Sequence, residues 1–150
     1  MSSSITTAGI VVVGTAARTK EEVVRELAAL LVADGRVSDL EGYVEAVRAR
    51  EEHFPTGIEG GVAIPHAQTE FVVAPAVAVA TSVEGIDFGA DDGPSHLIFL
   101  IAAPQSSENL HLEILANLAR RIMHENFRNQ LRNEQDPSRI AEIISQEVSP

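Results

Sequence analysis

A chain of 150 residues, 45% of them hydrophobic, has the size of one ordinary domain and can bury about 70% of its unfolded surface without a disulfide. It has no cysteine, which excludes thiolate chemistry and fits a reducing compartment such as the cytoplasm. Twenty-two acids against eleven bases (net −11) repel nucleic-acid and lipid phosphates, six aromatics leave little for base stacking, and no stretch approaches the ~20 apolar residues of a membrane span.

The expectation is one soluble cytoplasmic domain over residues 1–150, with 1–7 as a flexible tail, no nucleic-acid partner and no membrane insertion. Gly-Ile-Val-Val-Val at 9–13 predicts a short buried strand ending at Gly14. Thr19 and Glu22 form a capping-box signal for a helix carrying Val23, Leu27, Leu30 and Leu31, which Asp34-Gly35 ends. Ser38 and Glu41 repeat the signal for a second helix with Leu40, Tyr43, Val44 and Val47 on its stripe, ending near Glu52 before Phe54-Pro55. Residues 57–93 hold six of the ten glycines and predict short strands joined by turns. Val62-Ala63-Ile64 is a strand cut off by Pro65. Val77 to Val83 is another, and Leu97 to Ala102, continuously apolar, is the central one. Ser106-Ser107 caps a long helix with Leu115, Leu118, Ile122 and Met123 inward, and Asp136-Pro137 opens the last helix. This order predicts an α/β fold: a three-layer α/β/α domain with a mixed, about five-stranded sheet and helices on both faces.

Between His53 and Ala119 there is no lysine or arginine, against eight acids. An anion bound by this loop-rich region therefore needs backbone N–H groups, histidines, hydroxyls or arginines from outside it. His66 follows Val-Ala-Ile-Pro, where Pro65 ends a ladder and directs the next side chain to a crevice; a plain turn histidine is the other reading. His111 falls in the first turn of the helix beginning near Ser107, where the dipole favours anions and a neutral ring; a partly buried histidine bonded to a carbonyl is the other reading. Arg48 and Arg50 end the second helix. Arg48 reads as surface chemistry, while Arg50 borders the segment that has no cation of its own. His53, His96 and His124 read as structural or exposed.

The histidines lie 13, 30, 15 and 13 residues apart, with no His-x-x-x-His pair, so no metal site is expected. No nucleotide-binding motif and no Gly-x-Ser-x-Gly elbow is present, and no cofactor is expected.

Arg50-Glu51, Thr56-Gly57 and Gly61-Val62-Ala63-Ile64-Pro65-His66-Ala67 together resemble the signature of enzyme IIA of the bacterial sugar phosphotransferase system, fructose/mannitol type. The resemblance continues through Gly85–Gly89, Leu97–Pro104 and His111-Leu112-x-x-Leu115-Ala116-x-Leu118-Ala119, nearest the fructose branch, with Phe54-Pro55-Thr56-Gly57-Ile58 similar to galactitol-type members. It implies a phosphotransferase in which His66 is the phosphohistidine, charged by phosphorylated HPr and discharged onto a cysteine of enzyme IIB in another chain or a fused domain. It also implies that His111 and Arg50 stabilise the phosphoryl group. The sugar meets the membrane subunit, so this chain does not specify it. A regulatory, nitrogen-related IIA acting on a partner protein is the alternative, and a non-catalytic binding domain with the same fold is a third reading. Two departures from the family pattern are Glu59-Gly60-Gly61, where members carry a polar residue between two glycines, and Ala67, where many have glycine.

Overall fold

The computed structural model describes residues 5–106 and 108–148; the side chains of Glu108, Leu110 and His111, and the Ser107 cap, lie outside the described residues. Its elements are β1 (Val11–Val12), α1 (Lys20–Ala33), α2 (Leu40–His53), β2 (Gly57–Ile58), β3 (Val62–Ala63), β4 (His66–Thr69), β5 (Ala76–Ile86), β6 (Ser95–Pro104), α3 (Glu108–Ile122), α4 (Glu125–Asn133) and α5 (Pro137–Val148). Six strands form one mixed sheet in the order β1-β5-β6-β3-β2, with β4 also paired to β6. The pairs β1·β5, β3·β6 and β4·β6 are parallel, while β5·β6 and β2·β3 are antiparallel.

Both central strands are apolar on both faces, as strands covered on two sides must be. β5 turns Ala76, Ala78 and Ala80 to one side, under α1 with its Val23, Leu27 and Leu31, and Tyr43 and Val47 of α2, which packs on β4, complete the same core. The other side of β5 carries Val77 and Val79, which join Leu97, Phe99 and Ile101 of β6 against α3, α4 and α5. The result is the expected three-layer α/β/α arrangement, with six strands rather than five.

The α1 capping box is present: Thr19 Oγ1 accepts from Glu22 N, and the Glu22 carboxylate accepts from Thr19 N. In α2 the N-cap is Asp39, one residue later than predicted, because Ser38 is engaged elsewhere. Its N and Oγ both donate to Phe71 O, and Asp39 Oδ1 accepts from Gly42 N instead. The strand predicted over 9–13 is confined to Val11–Val12. Residues Ala8–Ile10 form a 3-10 turn closed by Ile10 N donating to Thr7 O, since pairing with Val79 and Ala80 is offered only to the two valines.

The predicted tail over 1–7 is corrected at its end. Ile5 and Thr6 are buried, Val77 N donates to Ile5 O, Thr6 Oγ1 donates to Val77 O, and Ser145 Oγ donates to Thr6 O. These bonds tie Ile5 and Thr6 to β5 and α5.

The inner stripe of α3 is Ile114, Leu118 and Ile122, with Leu115 half-buried. Met123 is 78% exposed because the helix ends at Ile122, so it does not belong to the stripe predicted for it. Helix α4 was not legible: only Phe127 and Leu131 are buried, too few to mark a period among charged and amide residues. Helix α5 opens as predicted, with Asp136 Oδ1 accepting from Ser138 N ahead of Pro137.

Between Thr81 and Ile86 the β5·β6 register shifts, and Gly85 makes the shift possible. Its φ is +89°, and a Cβ there would meet Pro94 Cβ at 2.7 Å. Gly85→Ala is expected to lower stability by about 1–3 kcal/mol, a strained backbone plus a clash. Gly9→Ala, with only Thr7 Oγ1 near at 3.9 Å and no unusual φ, should stay within about 0.5 kcal/mol. Chemical denaturation of the two variants beside the parent measures both.

Candidate active site

Pro65 shapes the site. β3 pairs with Leu97 and Ile98, and β4 pairs with Ile101 through Pro104 at the same offset, so Ile64-Pro65 is a break in one parallel ladder rather than a strand end. Proline has no N–H to donate, which interrupts the ladder, but Pro65 O still accepts from Ile101 N at 3.0 Å and the register is kept. His66 is therefore the first residue of β4 in a ladder that resumes, where the sequence reading had Pro65 end the ladder, and its position is set by the central strand β6.

The His66 ring is half-buried, with Nδ1 2.8 Å from Ile64 O. A carbonyl can only accept, so Nδ1 carries the hydrogen and the neutral ring has its lone pair on Nε2. Burial lowers the imidazole pKa below its ordinary value. The bond to Ile64 O opposes this, Arg50 lowers it further and Glu51 opposes. The ring is thus held neutral near pH 7, in the state a nucleophile requires.

Helix α2 supplies the cation. Arg50 is half-buried in its last turn and donates from Nη1 to Phe54 O at 3.2 Å, an arrangement that suits the negative end of the helix. Among the described residues Arg50 forms no ion pair with a carboxylate. Arg48, by contrast, bridges Glu45 and Glu52 on the surface, as its surface reading anticipates. Helix α2 is fixed to the sheet opposite the site: Tyr43, fully buried, donates from its hydroxyl to Ile101 O at 2.9 Å, and Ile101 is the register partner of His66.

The backbone of His111 lies in the first turn of α3, while its side chain lies outside the described residues. His53 and His124 are exposed, and His96 is half-buried with Nδ1 donating to Ser82 O at 2.9 Å. In the departed loop Glu59 is exposed, and the backbone does the holding. Gly60 N donates to Asp92 Oδ2, and Gly61 O accepts from His96 N and Leu97 N.

Glu51, legible in the sequence only as part of the Arg50-Glu51 pair and without a role, is buried and accepts from both Thr56 N and Thr56 Oγ1. A signal for its burial existed, since Tyr43, Val47 and Glu51 continue one i, i+4 row on the face α2 turns inward. A cleft of about 340 Å³ between α1 and α2 includes Glu51 but not His66; its rim charges Arg25–Glu41 and Arg48–Glu52 are paired with each other.

Residues 4–147 match the family described as "Phosphoenolpyruvate-dependent sugar phosphotransferase system, EIIA 2". The chain is 41% identical over 128 residues to the fructose-specific EIIABC component of Bacillus subtilis, covering 85% of this chain but only 20% of that protein. It is 40% identical over 131 residues to the fructose-specific EIIA component of Haloferax volcanii, covering 87% of this chain and 85% of that one. Among solved structures it is similar to the nitrogen regulatory protein IIA-Ntr of Neisseria meningitidis, with TM-score 0.84, 28% identity, and 93% and 96% of the two chains covered. It is also similar to the Escherichia coli complex of enzyme IIA mannitol with phosphorylated enzyme IIB mannitol, with TM-score 0.79, 26% identity, and 93% and 96% covered.

Because the His66 pKa is lowered, the unfolded chain binds more protons than the folded one between the two values. The ring's contribution to stability is then complete above the ordinary histidine value of about 6.5 and is lost as pH falls through the folded value. Arg50→Ala removes a cation that lowers this pKa, so the His66 midpoint should rise. Glu51→Gln removes an anion that raises it, so the midpoint should fall further. Titration of the imidazole resonances by NMR reads both signs, and a downward shift in Arg50→Ala would contradict the electrostatic reading.

Proposed function

The chain belongs to the EIIA 2 family of the sugar phosphotransferase system, a phosphotransferase component, and on that premise we propose that it carries a phosphoryl group on His66 from phosphorylated HPr to a cysteine of enzyme IIB during uptake of fructose or a related sugar. The observation that carries the reading is the His66 ring, neutral, hydrogen-bonded through Nδ1 to Ile64 O and placed just beyond the Pro65 break. In the first transfer the Nε2 lone pair attacks phosphorus in line. The donor P–N bond breaks, and its electron pair returns to the donor imidazole. In the second transfer a thiolate of enzyme IIB attacks the same phosphorus, and the His66 Nε2–P bond gives its pair back to the ring. The thiol has to come from elsewhere, because this chain contains none.

Both transfers spread negative charge over the equatorial phosphoryl oxygens, in a segment with no lysine or arginine from 54 to 119. Arg50, arriving from α2, and His111, in the first turn of α3 with the N–H groups of that turn, are the stabilisers in this reading. Identities near 40% to fructose-specific EIIA proteins, against 28% to the nitrogen regulatory structure, favour transport. The regulatory reading draws on the fold likeness to that structure; a gene neighbourhood with enzymes IIB and IIC supports transport, and a sigma-factor neighbourhood supports regulation.

Incubation with phosphorylated HPr should add one acid-labile, base-stable phosphate by intact mass, and His66→Ala should add none; labelling that survives in His66→Ala removes His66 from the role. His111→Ala should slow transfer to enzyme IIB by about 10²–10³-fold, the usual loss for one preorganised donor. A histidine that merely holds the fold would instead cost about 1 kcal/mol of stability with near-normal transfer, so thermal midpoint and single-turnover rate on the same protein separate the two.

A further inference from the structure

Glu51 is a carboxylate only 7% exposed, and among the described residues it has no lysine or arginine partner. A buried carboxylate without a counter-cation is costly, so the bonds it does make bear on why it is there. Glu51 Oε2 accepts from Thr56 N at 2.8 Å and Oε1 accepts from Thr56 Oγ1 at 2.6 Å. Thr56, 4% exposed, passes the constraint on: its carbonyl accepts from Ile64 N at 3.1 Å. The Ile64 carbonyl in turn accepts from His66 Nδ1 at 2.8 Å. Four hydrogen bonds thus run without a gap from the end of α2, across the α2–β2 connection, to the imidazole.

We infer that Glu51 is a positioning residue for His66, holding Thr56 so that the Ile64 carbonyl keeps the ring in the Nδ1–H tautomer with Nε2 turned toward the phosphoryl group. The inference deepens the proposed phosphocarrier role and rests on it for its purpose, though not for its geometry. The tautomer matters because free histidine favours hydrogen on Nε2, the atom that must carry the lone pair here. One carbonyl oxygen in a fixed place reverses that preference. On the β6 side Ile64 stands next to the proline break; on its other side its N–H donates to Thr56 O, which carries the β2·β3 register one residue further and makes the place of Thr56 decide the place of Ile64. The relation resembles the carboxylate that orients the imidazole in hydrolase triads, acting here through two residues instead of directly.

The direct readout is the ¹⁵N chemical-shift pair of the His66 ring, which reports the tautomer whether or not any phosphoryl transfer occurs. The parent protein should show Nδ1–H. Thr56→Val removes the hydroxyl bond and should admit the Nε2–H form, whereas Thr56→Ser should restore the parent spectrum. Glu51→Ala removes both bonds and should admit the same form to a greater extent. Glu51→Gln keeps an acceptor for Thr56 N and should retain most Nδ1–H character. With phosphorylated HPr, Thr56→Val and Glu51→Ala should lower kcat by up to about a hundredfold, the scale of an ångström's misplacement, with KM for HPr little changed because neither side chain reaches the surface. If Glu51→Ala does not fold, Thr56→Val against Thr56→Ser decides alone. Folded Thr56→Val with the parent tautomer and rate overturns the inference. A parent protein that shows the Nδ1–H tautomer but takes no phosphate from HPr overturns the proposed function and leaves the positioning geometry standing.

Discussion

Everything at the site follows from one interrupted ladder. β6 is the strand to which β5, β3 and β4 all pair, and it is buried along nearly its whole length. A proline in a chain running beside such a strand would ordinarily end the pairing. Here the strand resumes at the same offset, because Pro65 O accepts from Ile101 N even though Pro65 has nothing to donate. The two-residue break lets His66 reach back to the carbonyl two positions before it, a contact that uninterrupted strand geometry does not offer. β6 itself cannot slip to accommodate a change, since its alternate side chains fill two separate cores.

The helices translate that rigidity into chemistry. α2 meets the sheet at β4, the strand that His66 opens, and Tyr43 secures it with a buried bond to Ile101 O at the register position of His66. The last turn of the same helix delivers Arg50 and Glu51, neighbours in sequence with opposite tasks. Arg50 adds to the effect of burial in lowering the ring's pKa and brings positive charge to a segment that has none. Glu51 is turned inward onto Thr56, where it opposes the effect of Arg50 on the ring. On the far face, α3 begins just after β6 ends at Pro104, the register partner of Thr69 at the end of β4, with His66 paired three residues earlier at Ile101.

The family relationship and this geometry bear on different questions. Matching residues 4–147 to EIIA 2 and sharing about 40% identity with fructose-specific proteins places the chain in the phosphotransferase system. What the geometry adds in support of the proposed role of His66 is a tautomer, a neutral ring and a guanidinium that, among the described residues, forms no ion pair with a carboxylate. The departure at Glu59-Gly60-Gly61 illustrates the difference. The glycines, with φ of +95° and +76°, make the turn, and backbone groups hold it to Asp92 and His96, so the loop keeps its place with Glu59 in solvent.

Much of this was legible in the amino-acid order. The Thr19–Glu22 capping box, the Asp136-Pro137 start, the continuous apolar run of β6 and the Ala-Ile-Pro-His segment are local signals, and each depends on residues within a few positions of one another. What was misread depended on partners distant in sequence. Ser38 lost its capping role to a bond with Phe71, residues 8–10 were refused by a sheet edge that pairs only Val11 and Val12, and Ile5 and Thr6 were drawn onto β5 and α5. Glu51 shows the limit most clearly. Its helical spacing put it on the buried row, but a carboxylate at that position reads as exposed until Thr56 is seen to supply two donors from beyond the helix end. Sequence determined most of the helices and strands and marked His66 as the candidate, because those signals belong to short stretches of chain. Tertiary structure decided which polar groups would be satisfied inside, because a buried donor or acceptor is stable only where the fold brings it a partner.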